Sequence, residues 1–281
     1  MRIARAAGAA IEAVHARFDA RDDARHKADG SPVTEADLAA DRVISDALRR
    51  VFPDDAIVSE ESRDVGGTSG ATWVVDPLDG TEAFIGGQRG YAVQIARVVD
   101  GAVTHAVVYE SRFDELFWAA AGEGAWLVRG AEQTRLATRC ATEGLRVVTS
   151  PRVDPGFRAT LMAHGLLDGG MFRSVGVKVG RIVQGLADVY LATHGLSVWD
   201  VAAPYLVLVE AGGRMTDLDG NPPVFRPRAL ANTPAIREYH GPLLATHGPT
   251  HDHWCAVLRT LRREAIHARG ARVHPDDPDG V

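Results

Sequence analysis

The chain has 281 residues and only two cysteines, Cys140 and Cys255. They lie far apart and show no metal-ligand spacing, so a cysteine-built metal site is excluded. Two such thiols suit a reducing cytosol. No stretch approaches the roughly 20 apolar residues that a membrane-spanning helix needs. The N-terminus carries Arg2 and Arg5 but no long apolar core, so no signal peptide is read and a cytoplasmic location is expected. Basic runs are missing and the formal net charge is −6, which argues against a nucleic-acid polymer as partner. No Pro/Gly/Ser linker interrupts the middle, and no internal repeat is evident. With 46% of residues hydrophobic, a large core can be built. The expectation is one folded unit over residues 1–265, with an N-terminal α+β half over 1–145 and a C-terminal α/β half over 146–265. Residues 266–281, rich in Pro, Asp and Gly, read as a disordered tail.

What is present concentrates in residues 73–87, Trp-Val-Val-Asp-Pro-Leu-Asp-Gly-Thr-Glu-Ala-Phe-Ile-Gly-Gly. Trp73-Val74-Val75 reads as a buried strand. Pro77 has no N–H for a ladder, so the strand is expected to end at Asp76-Pro77. Asp76 and Asp79 then bracket a tight turn, with Gly80 and Thr81 after it. Two carboxylates forced together repel, and desolvation adds to the cost. A hard divalent cation relieves both, and oxygen ligands of this kind suit Mg²⁺. If Gly80 and Thr81 open a helix, their amides can grip a phosphate. A lone Asp-x-x-Asp is more often a polar turn with the acids as caps, so the surrounding elements carry weight.

Apolar spacing at Ile3, Ala7, Ala10, Ile11, Val14 and Phe18 predicts an amphipathic helix over 2–18. Residues 19–30 are charged and read as a mobile loop. Thr34 and Asp37 have the spacing of a helix N-cap and its acidic partner, before a helix with Val43, Ile44, Ala47, Leu48 and Val51 on one face. Ala56-Ile57-Val58 is a brief strand leading to Glu60 and Glu61, a pair that is usually just solvated. Residues 91–99, Val103–Tyr109 and Leu116–Ala120 predict an antiparallel meander, with Asp100-Gly101 as its first turn. Residues 121–144 carry little functional signal. Strands are expected at Val147–Ser150, Met171–Ser174, Val189–Leu191 and Leu243–Thr246, and helices at Pro155–His164 and His251–Arg263. Ser174 to Lys178 open a further helix, on which Lys178 reads equally well as a solvated lysine. Asp200, in Ser197-Val198-Trp199-Asp200, suits the N-cap of a helix reaching Gly212. His247, His251 and His253 lack the carboxylate or cysteine that would complete a zinc site.

Asp76-Pro77-Leu78-Asp79-Gly80-Thr81, followed by Phe84, resembles the metal-binding signature of the inositol monophosphatase superfamily of Mg²⁺-dependent, often lithium-sensitive phosphatases. Three further elements follow in the family's order: Thr34 with Asp37, Glu60-Glu61, and Trp199-Asp200. The resemblance covers residues 2–250 and implies a layered αβαβα fold of the α/β (α+β) class. It implies two or three Mg²⁺ ions, one held by Glu60, Asp76 and the Leu78 carbonyl, another by Asp76, Asp79 and Asp200. Thr34, Asp37, Glu61 and Thr81 would then orient the attacking water, and Gly80, Thr81, Ser174 and Lys178 would meet the substrate. It also implies a small phosphorylated metabolite as the partner, and a homodimer as a common assembly. Ser31-Pro32-Val33-Thr34, Val58-Ser59-Glu60-Glu61 and Pro204 look most like the 3'(2'),5'-bisphosphate nucleotidase branch, where a lysine near Lys178 meets the second phosphate. Inositol-1-phosphate, histidinol-phosphate and fructose-1,6-bisphosphate phosphatases stay open as alternatives. A phosphate-binding regulator without activity is an alternative of another class.

Overall fold

A computed structural model describes residues 1–18, 24–27, 30–139, 144–226 and 238–270, with side chains to residue 261. Helices α1 (Arg2–His15) and α2 (Glu35–Val51) pack on each other at the N-terminal side. Between them β1 (Arg25–His26) and β2 (Pro32–Val33) pair antiparallel, so part of the expected 19–30 loop is a hairpin arm. Residues 19–23 and 28–29 lie outside the described residues.

The main sheet has seven strands: β3 (Ala56–Ser59), β4 (Ala71–Asp79), β5 (Ala92–Val99), β6 (Ala102–Glu110), β7 (Glu115–Ala120), β8 (Gly124–Arg129) and β9 (Glu132–Leu136), in that spatial order. Strands β3 and β4 are parallel and the rest form a meander. The expected meander is therefore present and two strands longer. Pro77 does not end β4. The strand continues to Asp79 through an irregularity between Asp76 and Asp79, where the missing N–H costs no ladder bond. A five-residue helix, α3 (Thr81–Ile85), follows at once.

The second sheet combines β10 (Arg146–Thr149), β11 (Leu167–Met171), β12 (Val189–Ala192), β14 (Arg214–Asp217) and β16 (Leu243–Thr246), in the order β11-β10-β12-β16-β14. The two-residue strands β13 (Leu196–Ser197) and β15 (Glu238–Tyr239) pair separately. The expected strand at Met171–Ser174 lies earlier, because Ser174 caps the next helix instead. Helices α4 (Pro155–Ala163) and α7 (His251–Gly270) flank the second sheet, while α5 (Val175–Val183) and α6 (Val198–Glu210) lie between the two sheets. The layers run α1/α2, seven-stranded sheet, α5/α6, five-stranded sheet, α4/α7, the αβαβα arrangement expected. Helix α7 carries the chain to Gly270, so the start of the predicted tail is helical, and residues 271–281 lie outside the described residues.

Amphipathic spacing explains the layers. Ala4, Ala7, Ile11 and Val14 of α1 and Ala40, Ile44 and Leu48 of α2 are buried together against Val75, Val93 and Ile95. Val51, at the end of α2, is 57% exposed and does not join that face. Strand β5 lies between two helix layers, with Ala92, Ala96 and Val98 packed toward α5/α6 and Val93 and Ile95 toward α1/α2, which is why both of its faces carry apolar residues. His251 is fully buried between Thr216 and Thr246, whose hydroxyls lie 2.7 and 2.9 Å from its two ring nitrogens. That pairing accounts for the residue without zinc. No helix among the described residues is long and apolar enough to cross a membrane.

Candidate metal and phosphate site

The starts of α3, α5 and α6 face one cavity of about 350 Å³, and the start of α2 stands behind its lining. Its floor is acidic. One carboxylate oxygen from each of Asp76, Asp79 and Asp200 comes within 4.8 Å of the others. Each acid is fastened by the main chain. Asp76 accepts from the Leu78 N–H at 3.0 Å, inside the β4 irregularity. Asp79 accepts from the Gly176 N–H at 2.9 Å, the Ser174 hydroxyl at 2.6 Å and the Gln94 amide. Asp200 accepts from the Ser197 N–H at 2.6 Å. Asp200 is thus the third residue of α6 and not its N-cap, a place that Ser197 takes. Pro204 removes the N–H that would otherwise reach the Asp200 carbonyl.

The same pattern recurs at α2. Thr34 caps the helix, and its N–H and hydroxyl donate to Asp37 at 2.7 and 2.6 Å. The other Asp37 oxygen lies 3.0 Å from the Thr81 hydroxyl, which also lies 3.1 Å from the Leu78 carbonyl. A hydroxyl has one proton, so Thr81 donates to one of these at a time and has a lone pair left for a water. Gly80 makes the link possible. Its φ is +92°, and an added Cβ would sit 3.0 Å from the Gly90 carbonyl oxygen.

Burial raises the pKa of Asp37, Glu61, Asp76, Asp79 and Asp200. Asp37 is pushed up to about 6, with hydrogen bonds from Thr34 and Thr81 opposing. Glu61 is pushed up to about 7 by burial, with Lys27 opposing. Asp76, Asp79 and Asp200 are all raised, first by burial and then by neighbouring carboxylates, with the Ser174 and Gly176 hydrogen bonds working against the rise at Asp79. Carboxylates so placed destabilise one another unless a cation joins them, and an all-oxygen donor set is that of a hard divalent ion.

Glu60 and Glu61 lie beside this floor, but here a side chain already supplies a cation. The Lys27 ammonium, carried by the arm between β1 and β2, lies 2.8 Å from Glu60 and 2.6 Å from Glu61. Burial lowers its pKa, but the two glutamates outweigh this and the net shift is upward. Glu60, Leu78, Gly80 and Thr81 line the cavity with the three aspartates. Thr34, Asp37 and Glu61 stand behind them.

Two expected substrate contacts fall differently. Ser174 is fully buried behind Asp79, and its hydroxyl is occupied between that carboxylate and the Val177 N–H. It positions Asp79 and is not on the cavity wall. Lys178 borders the cavity but is 1% exposed. Its ammonium donates to the Phe172 and Arg173 carbonyls at 3.1 and 3.0 Å and stands 4.6 Å from the Tyr190 ring centroid. Burial pushes its pKa down to about 8, with Asp79 and Asp200 pulling upward. Gln94, Lys27, Glu82, Arg152, Arg173 and His194 were not anticipated. Only Gln94 had a signal, as the one amide in the apolar run from Tyr91 to Ala96.

The inositol monophosphatase family model matches residues 1–251, across both sheets and all four elements of the site. The chain belongs to the inositol monophosphatase family. With the family comes its chemistry, metal-dependent hydrolysis of phosphomonoesters, to which the acidic floor conforms. The 3'(2'),5'-bisphosphate nucleotidase CysQ of Escherichia coli K12 is 33% identical over 216 residues, 75% of this chain and 86% of that one. A Streptomyces griseus protein named glucose-1-phosphate thymidylyltransferase is 35% identical over 205 residues, 70% of this chain and 76% of that one. The two names denote different reactions, so likeness at this level identifies the family and leaves the substrate open. Among solved structures, an inositol monophosphatase of Thermotoga maritima superposes with a TM-score of 0.76 at 25% identity, over 94% of this chain and 96% of that one.

Proposed function

We propose that the chain is a Mg²⁺-dependent phosphatase that removes the 3'-phosphate of adenosine 3',5'-bisphosphate. The observation carrying the reading is the convergence of Asp76, Asp79 and Asp200 on one cavity, at the starts of α3, α5 and α6. Glu60, Asp76, the Leu78 carbonyl, Asp79 and Asp200 are the oxygen donors that would hold two divalent ions. Bound there, such ions supply charge stabilisation to the phosphoryl oxygens and acidify a water.

The chain's own residues do the rest. Asp37 orients the Thr81 hydroxyl, which is placed to hold the nucleophilic water by its free lone pair. Asp37, 3.0 Å from the Thr81 hydroxyl, is placed to take up the water's proton through that hydroxyl, with Glu61 standing behind the floor on Lys27. The partial positive charge at the start of α3 favours the phosphate beside Gly80 and Thr81. Attack in line on the phosphorus needs no covalent intermediate.

The nucleotide is preferred because the nucleotidase from Escherichia coli covers most of both chains and because Pro204 and the strings around Thr34 and Glu60 match that branch. A second reading, an inositol monophosphate substrate, is favoured by the Thermotoga maritima structure. Phosphate release with Mg²⁺ from adenosine 3',5'-bisphosphate, inositol 1-phosphate, histidinol phosphate and fructose 1,6-bisphosphate tests both. A kcat/KM for the nucleotide at least tenfold above the others is expected. A preference for another ester would overturn the nucleotide assignment, and no release from any would support a binding protein on this fold.

A further inference from the structure

Opposite the acidic floor, the cavity wall turns basic. Arg152 follows β10 and Arg173 follows β11, so their loops emerge from neighbouring strands of the second sheet. Both guanidiniums meet one carboxylate, Glu82, which is the second residue of α3 and three positions after Asp79. Arg152 donates to one Glu82 oxygen at 3.1 Å, and Arg173 pairs with the other. Two guanidiniums on one carboxylate leave an excess of positive charge at this wall. Arg152 remains 59% exposed and Arg173 32% exposed in their side chains. Neither is used up as Lys178 is, whose ammonium is buried against two carbonyls and a tyrosine ring.

The pair also stands at a junction. Pro32, Glu82, Arg152 and Arg173 line both the acidic cavity and a second cavity of about 580 Å³, whose other walls include His26, Ile85 and Pro151. A ligand reaching from the floor toward the second cavity passes the arginines. Guanidinium matches phosphate oxygens in two-point geometry, and the match is stronger than to a water-exposed carboxylate.

We infer that Arg152 and Arg173 form a second anion subsite, so that the enzyme selects esters carrying another phosphate besides the one cleaved, with Glu82 holding the two guanidiniums in register. This rests on reading the acidic floor as the place of ester cleavage. The second phosphate contact thereby moves from Lys178 to the arginines, and Lys178 acts from behind by tying down the Phe172 and Arg173 carbonyls. The second cavity then receives the organic part of the ligand, against Ile85 and the two prolines.

The test is a comparison of KM for adenosine 3',5'-bisphosphate and adenosine 3'-monophosphate in the full chain and in Arg152→Gln, Arg173→Gln and the double variant. The unmodified enzyme should favour the bisphosphate at least tenfold in KM. Each single variant should narrow that preference by roughly tenfold, the loss of one charge-assisted bond, and Arg→Lys should restore part of it. Adenosine 5'-monophosphate binding by calorimetry, with Mg²⁺ and saturating inorganic phosphate present, gives a readout independent of turnover. Binding should weaken by at least tenfold in the double variant. If the arginines only staple α3 to the second sheet, the variants will lower the melting temperature and change both KM values alike, which overturns the subsite. Equal mononucleotide binding by wild type and double variant overturns it too. If no ester is cleaved by any form, the cleavage reading fails, while the mononucleotide titration still decides the subsite.

Discussion

At Asp79 one carboxylate holds together three parts of the molecule. It ends β4, takes donors from the start of α5 and from Gln94 of β5, and faces Asp76 and Asp200. Asp79→Asn keeps the shape but removes the charge, and should lower kcat about a thousandfold or more with the circular dichroism spectrum unchanged. Activity within tenfold of the parent would remove Asp79 from the metal site. Gln94→Leu should act through the same carboxylate. Losing a donor to the ionised form raises the Asp79 pKa, so the acid limb of the pH–rate profile should move to higher pH. An unmoved limb would mean that the amide only fills space. The acids themselves were legible because Asp-Pro-Leu-Asp-Gly-Thr is contiguous. Lys27, Arg152 and Arg173 were not, since each is one basic residue in a loop and only the fold brings them to the cavity. The surroundings of Lys178 were hidden for the same reason: a sequence shows a charge on a helix, not the carbonyls that bury it.

At the scale of elements, helix starts do the positioning. Thr34 with Asp37 and Ser197 with Asp200 are two versions of one device, in which the third helical residue turns an acid back onto the chain. Thr34→Val should destabilise the protein by about 1 kcal/mol in urea unfolding, the usual worth of such a cap, and should lower kcat as Asp37 loses a donor. An unchanged kcat would separate the cap from catalysis. Gly80→Ala should cost about 1–2 kcal/mol, because φ +92° suits glycine and the new methyl meets the Gly90 carbonyl. Loss of stability without any rise in substrate KM would argue against a phosphate beside Gly80. The Thr34–Asp37 cap and the first three meander strands could be read from residue pattern, whereas the α6 cap lies at Ser197 and not at the expected Asp200. Strand β9 could not, for Glu132-Gln133-Thr134-Arg135 lies exposed at the sheet edge and shows no alternation. The length of β4 was misread at Pro77, where a local bulge tolerates what a regular ladder would not.

For the whole molecule, the carboxylates tie stability to pH and to metal. Asp37 near 6 and Glu61 near 7 lie above the ordinary carboxylate range of about 4, so protons favour the folded metal-free protein. That contribution is complete below the unfolded range and is lost as pH rises through 6 and 7. The melting temperature without metal should therefore fall between pH 6 and pH 8. Mg²⁺ competes with those protons, so it should raise the melting temperature more at pH 8 than at pH 6. An equal rise at both would dissociate the ion from these acids.

The donors that anchor Asp37, Asp76, Asp79 and Asp200 all come from the chain itself, and each would remain if every ion were removed. Shape and catalysis are therefore under separate inheritance. A descendant that lost one acid would forfeit turnover yet still fold, still present a cavity with basic walls, and still be available for recruitment to another task. In a lineage built this way, survival of the fold says little about survival of the reaction, whereas an intact set of acids speaks for it directly.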